Sequence, residues 1–185
     1  RRFQRDDTGD VINELEIPVD WVLGSGNKTR SYLYQTEHGE LFQLPIGWYS
    51  EGGFWEMSPG FESPDHQGVS RQVTRKCLFC HNAFPEIEND RYGDPERFPH
   101  DLPEGTGCQR CHGPGGEHVT TALTSGDLDA IRSLIINPRK LTGEVRDSVC
   151  MQCHLLPSIS LVTPLKFGQG EMSFRPGNLL SEFVA

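Results

Sequence analysis

The chain has 185 residues, enough for one or two domains, with 35% hydrophobic and 9% aromatic residues. Its 20 glycines and 13 prolines favour turns over long regular elements, and its net charge of −9 excludes a nucleic-acid partner, which needs a dense Lys/Arg surface. No apolar run approaches the length of a membrane-spanning helix, and no signal peptide stands at the start, so the chain reads as a processed mature form or as part of something longer.

Residues 1–70 read as a first part, containing a β-hairpin. Two apolar and aromatic runs, 31–36 and 40–44, flank a His38-Gly39 turn. Trp48-Tyr49 and Phe54-Trp55 come next between glycines and read as residues of an ordinary hydrophobic core. A helix is predicted over 71–84, stopped by Pro85, and then a loop over 86–107 broken by Pro95, Pro99 and Pro103 and by Gly93, Gly105 and Gly107. A helix over 116–124 precedes a second that Asp127 caps, with Leu128, Ile131, Leu134 and Ile135 on one face until Asn137-Pro138. Thr142 caps a last helix over 143–155, and the aperiodic residues 157–185 read as an extended tail.

The cysteines carry the chemistry. All six fall into three Cys-x-x-Cys pairs, each followed directly by histidine: Cys77-Leu78-Phe79-Cys80-His81, Cys108-Gln109-Arg110-Cys111-His112 and Cys150-Met151-Gln152-Cys153-His154. Disulfides account for an even cysteine count but not for a histidine after every pair. Zinc ribbons use two such pairs per metal and leave one pair over. A thioredoxin-like site needs one motif on a βαβ unit. Cys-x-x-Cys-His is the attachment motif of c-type haem: positions i, i+3 and i+4 share one face of a helical turn, so two thiols meet the haem vinyl groups while the imidazole meets the iron. The sequence therefore calls for three covalently bound haem c groups, with Cys77, Cys80, Cys108, Cys111, Cys150 and Cys153 as thioether donors and His81, His112 and His154 as proximal ligands.

Three apolar macrocycles repair the modest side-chain core. The expected fold is a multihaem cytochrome c, with short α-helices and loops wrapped around three haems. The haem-binding region spans 71–156, and with the first part and the tail it forms one haem-dependent unit. Four histidines remain for the sixth positions, and bis-histidine iron is closed to substrate and suited to electron transfer. The candidates, in order, are His118, His66, His100, Met57 and His38. His118 comes after a glycine-rich turn beyond the second motif and targets a neighbouring iron. His66 lies in a loop before the first motif helix. His100 is held between Pro99 and Asp101, Met57 is a thioether alternative, and His38 reads as a surface residue of the hairpin turn.

The strings Cys77-Leu-Phe-Cys-His-Asn-Ala-Phe-Pro85, Gly107-Cys-Gln-Arg-Cys-His-Gly-Pro-Gly-Gly-Glu-His118 and Cys150-Met-Gln-Cys-His154 resemble bacterial multihaem cytochromes c of the type often fused to tetratricopeptide repeats. Gly24-Ser-Gly-Asn27, Gln43-Leu-Pro-Ile-Gly-Trp-Tyr49 and Met57-Ser-Pro-Gly60 fit the same group, and the likeness covers about residues 20 to 160. The chain departs from that pattern in having no further upstream motif and no helical repeats downstream. The resemblance implies a periplasmic or extracellular location and electron transfer, and it supports His118 as a ligand to a neighbouring haem.

The leading reading is an electron carrier rather than an enzyme, relaying single electrons to redox partner proteins. A second is a subunit of a cytochrome filament or larger complex, built with copies of itself or other chains. A third is a multihaem reductase of small nitrogen or sulfur oxyanions, with one open haem. If the macrocycles complete the core, a variant lacking the motif cysteines is expected to be poorly folded. A native near-UV circular dichroism spectrum from such a haem-free chain overturns that expectation.

Overall fold

The computed structural model describes residues 2–83, 87, 94–154, 165–170 and 172–184. They fall into two compact units, Arg1–Thr74 with Ile87–His100, and Arg75–Glu86 with Asp101–Ala185.

The first unit is built of antiparallel strands. β1 (Arg2–Arg5) and β2 (Val11–Leu15) form a hairpin that the sequence pattern does not announce. Its turn is organised by Asp6, whose carboxylate accepts from the Thr8 hydroxyl (2.6 Å) and from the Thr8 and Asp10 N–H groups (2.9 and 3.0 Å). The Thr8 hydroxyl is the main reason that the Asp6 pKa lies below the ordinary carboxylate value.

A five-stranded sheet comes next: β3 (Trp21–Leu23), β4 (Thr29–Gln35), β5 (Leu41–Tyr49), β6 (Phe54–Met57) and β7 (Arg71–Val73), in the order β3-β4-β5-β6 with β7 also pairing with β5. The predicted hairpin is its centre, with Leu33 opposite Gln43, Tyr34 opposite Phe42 and Gln35 opposite Leu41. Its register shifts between Ser31 and Leu33, so Pro45, which has no N–H to donate, sits in the irregular stretch of β5. The core of this unit is Leu33, Leu41, Leu44, Phe61, Val73 and Phe98.

Two expectations are corrected here. Residues 71–73 are a strand rather than the start of a helix, because Val73 opposite Leu41 is buried where a helix would turn it away. The helix begins at Arg75 and ends at His81, and the stop expected at Pro85 lies outside the described residues. Phe54 and Trp55 are not core residues; they are 46% and 56% exposed. Trp55 on the edge strand β6 stacks on Tyr32 and meets Trp48 edge-on, at centroid distances of 5.4 and 5.3 Å.

The second unit is helical: α1 (Arg75–His81), α2 (Gln109–His112), α3 (Gly116–Thr124), α4 (Leu128–Ser133) and α5 (Gly143–His154), with 3-10 turns at Pro138–Lys140 and Leu180–Glu182. The Asp127 cap forms as expected, its carboxylate accepting from the Asp129 and Ala130 N–H groups at 3.0 and 3.1 Å. α4 ends at Ser133, and Asn137 instead caps the next turn, its side chain accepting from the Arg139 N–H at 3.1 Å. Thr142 opens α5, its carbonyl accepting from the Arg146 N–H at 2.8 Å.

The tail expected to be extended folds back over residues 165–184. Leu165 bridges Val184, the Lys166 N–H donates to the Phe183 carbonyl at 2.9 Å, and Phe174 and Leu180 are buried. The Leu180 N–H donates to Ser148 Oγ on α5 at 3.0 Å. Residues 155–164 lie outside the described residues.

Gly39 carries a test of the first unit. It has φ +90°, and a Cβ there would stand 2.6 Å from the Phe98 carbonyl oxygen, while its own carbonyl accepts from the Phe98 N–H at 2.9 Å. Gly39→Ala is expected to cost about 2 kcal/mol through backbone strain and lost contact. Denaturant unfolding of the holoprotein, monitored by tryptophan fluorescence, checks the loss.

Candidate haem-binding site

In every motif the histidine is the last residue of its helix: His81 in α1, His112 in α2 and His154 in α5. Even α2, a single turn, keeps the geometry. Cys108 at its N-cap has helical angles, and its carbonyl accepts from the Cys111 and His112 N–H groups at 3.1 and 3.0 Å. Both sulfurs and the imidazole of each motif thus share one helical face. The leading cysteines Cys77, Cys108 and Cys150 are exposed, as is Cys111, while Cys80 and Cys153 are partly covered.

The histidines of the second motif region are aimed by the main chain. His112 Nδ1 lies 2.7 Å from the Ile136 carbonyl, and the Ile136 N–H donates back to the His112 carbonyl at 3.0 Å. His118 Nδ1 lies 2.8 Å from the Ile131 carbonyl. A carbonyl only accepts, so each Nδ1 carries the ring proton and each Nε2 presents a lone pair. This is how metal-binding imidazoles are oriented. The turn between the two rings depends on Gly113, whose φ of +74° lets the chain leave α2 directly after His112.

The other sixth-ligand candidates lie in the first unit. His66 Nδ1 accepts from the Gly68 N–H at 2.8 Å, which puts the ring proton on Nε2, and the ring meets Phe61 edge-on. His38 and His100 are exposed on segments tied together by the Gly39–Phe98 hydrogen bond. Met57 is half-buried on β6 opposite Ile46, and its carbonyl accepts from the Tyr49 hydroxyl at 2.9 Å. Of the five candidates, His118 alone belongs to the unit that holds the three motifs.

One residue that the motif pattern hides is Arg110, a variable position of the second motif. It is only 2% exposed. Its Nη2 donates to the Ala83 carbonyl at 2.9 Å and to Met172 Sδ at 3.4 Å, and the guanidinium lies 4.4 Å from the centre of the Phe79 ring. The Gln152 side chain of α5 donates to the Arg110 carbonyl at 2.7 Å. Beside it the Cys80 and Cys153 sulfurs share a hydrogen bond. That bond, with help from the Arg110 charge, lowers the Cys80 thiol to about 7, while the same bond and burial raise the Cys153 thiol against the pull of the Arg110 charge. Nothing in the spacing of the motif singles out Arg110.

The donor set fits a haem better than a bare ion. A structural zinc site needs four ligands and leaves one of the three motif pairs over. Each motif offers two thiols and one axial imidazole, which suits a macrocycle that brings its own equatorial nitrogens. The helices α3 and α4 bury no side chain fully, and Leu123 and Leu128 stand 81% and 60% exposed. Such leucines suit contact with an apolar disc.

Among the described residues no helix is long and apolar enough to cross a membrane. No protein-family model matches the chain, and no curated protein matches it. Among solved structures, the crystal structure of the outer cell wall cytochrome OcwA is similar, with a TM-score of 0.52 at 15% identity over 86% of this chain. The likeness is one of fold, and the chain spans 31% of that protein's length.

Proposed function

We propose that this chain is an extracytoplasmic c-type cytochrome that relays electrons through three covalently attached haems. The observation that carries this reading is the paired aiming of His112 and His118: each Nδ1 is held by a main-chain carbonyl, at 2.7 and 2.8 Å, and each Nε2 is left to bind iron. When bound, haem c supplies a one-electron iron couple. The chain holds it through Cys77 and Cys80, Cys108 and Cys111, and Cys150 and Cys153, with His81, His112 and His154 as proximal ligands. His118 supplies a sixth ligand on a neighbouring centre, and closing that position turns the site from catalysis towards conduction. His66, whose Nε2 bears the proton, stands behind His118, and after it come His100, Met57 and His38.

The fold likeness to an outer cell wall cytochrome supports a place outside the cytoplasm and redox proteins as partners. A second reading, a subunit of a larger cytochrome assembly, is favoured by the exposed Phe54 and Trp55. Size-exclusion chromatography separates the two, since a carrier elutes as a monomer and a filament subunit does not.

The closed-site reading is checked by absorption spectra of the reduced protein with carbon monoxide. His118→Ala is expected to open one haem, so that about a third of the signal becomes sensitive to carbon monoxide beyond the wild-type response. An unchanged response removes His118 from the ligand set. The net charge of −9, to which haem propionates add, is expected to speed reduction of a basic partner at low salt. Equal stopped-flow rates at low and high ionic strength contradict charge steering.

A further inference from the structure

We propose that Arg110 is a redox-tuning residue: its buried cation raises the reduction potentials of the haems attached by the first and third motifs and spares the haem of its own motif. The proposal rests on the haem reading and concerns how this chain sets its potentials. On α2, successive residues turn by about 100°, which places Arg110 on the side opposite the shared face of Cys108 and His112. The contacts agree with that direction. The guanidinium meets Phe79 and the Ala83 carbonyl beside the first motif, and the sulfur of Met172. The Gln152–Arg110 hydrogen bond, at 2.7 Å, ties the same turn to the third motif.

A guanidinium does not lose its proton in a protein, so this charge is fixed. A reduced haem carries one positive charge fewer than an oxidised one. A buried cation close by therefore favours the reduced form, and burial keeps salt from screening it. Contact with a haem propionate acts in the same direction, because it cancels a negative charge. A purely structural role, in which Arg110 braces the turn of α2 against its neighbours, depends on shape and hydrogen bonds and leaves the potentials unordered by charge.

The test is spectroelectrochemical titration of the holoprotein, after haem content per chain has been measured by its pyridine haemochrome. R110M keeps most of the volume and loses the charge; R110K keeps the charge. Two of the three redox components are expected to shift to lower potential in R110M, while the third stays, and R110K is expected to leave all three near wild type. Should R110M fail to fold, M172E places a carboxylate where Arg110 already donates and is expected to lower the same two components, with M172Q as the uncharged control. No shift, a shift of all three, or an R110K shift as large as that of R110M overturns the proposal. Absence of covalent haem from the wild-type protein is a separate result that removes the haem reading itself, and the role of Arg110 with it.

Discussion

The second unit depends on two hydrogen bonds between His112 and Ile136. They clip a one-turn helix to the segment beyond α4, at 3.0 Å through the main chain and 2.7 Å through the ring. Through the main chain they bring the chain back over Gly113, and through the ring they choose the tautomer. Remove the carbonyl and the imidazole rotates freely on a helix of four residues, too short to hold its own direction. The same arrangement recurs at His118 and Ile131, so α3 and α4 are packed as a pair whose link aims a ring.

The two units place their polar and apolar groups differently. The first has a sheet, whose ladders satisfy the backbone, and a core of leucine, valine and phenylalanine around Leu41. The second places a cation, Arg110, and an amide, Asn82, among its most buried side chains, and the Asn82 amide donates to the Pro103 carbonyl. Leucines of α3 and α4 stay outside. The same unit does bury Leu78, Leu102, Val149, Phe174 and Leu180, so the exposed leucines of α3 and α4 mark one face that its own side chains leave uncovered.

Much of this was legible in the sequence because it was local. The Cys-x-x-Cys-His spacing dictates a helical turn, the runs on either side of His38-Gly39 dictate a hairpin, and Asp127 caps its helix through its own carboxylate. The features that escaped the sequence depend on distant partners. Arg71–Val73 became a strand only because Leu41 lies opposite Val73. The β1–β2 hairpin joins strands whose apolar members, Phe3, Val11, Ile12 and Leu15, remain exposed and do not alternate with polar ones, so no hydrophobic pattern marks it. Phe174 and Leu180 lack periodicity, yet Leu180 is buried against α5 and Phe174 edge-on to Phe183, which folds the tail. Arg110 sits where the haem motif tolerates any residue, and only the neighbouring motifs give it meaning.

The shortness of α1 and α2 has a consequence for how the molecule is made. Helices of seven and four residues do not persist outside a folded protein, since nucleation costs more than so few hydrogen bonds contribute. In the nascent chain Cys108, Cys111 and His112 are therefore three points on a flexible thread rather than a preformed clamp. Alignment of the donors is an outcome of maturation, and α5, at twelve residues, is the motif helix best able to assemble ahead of the others.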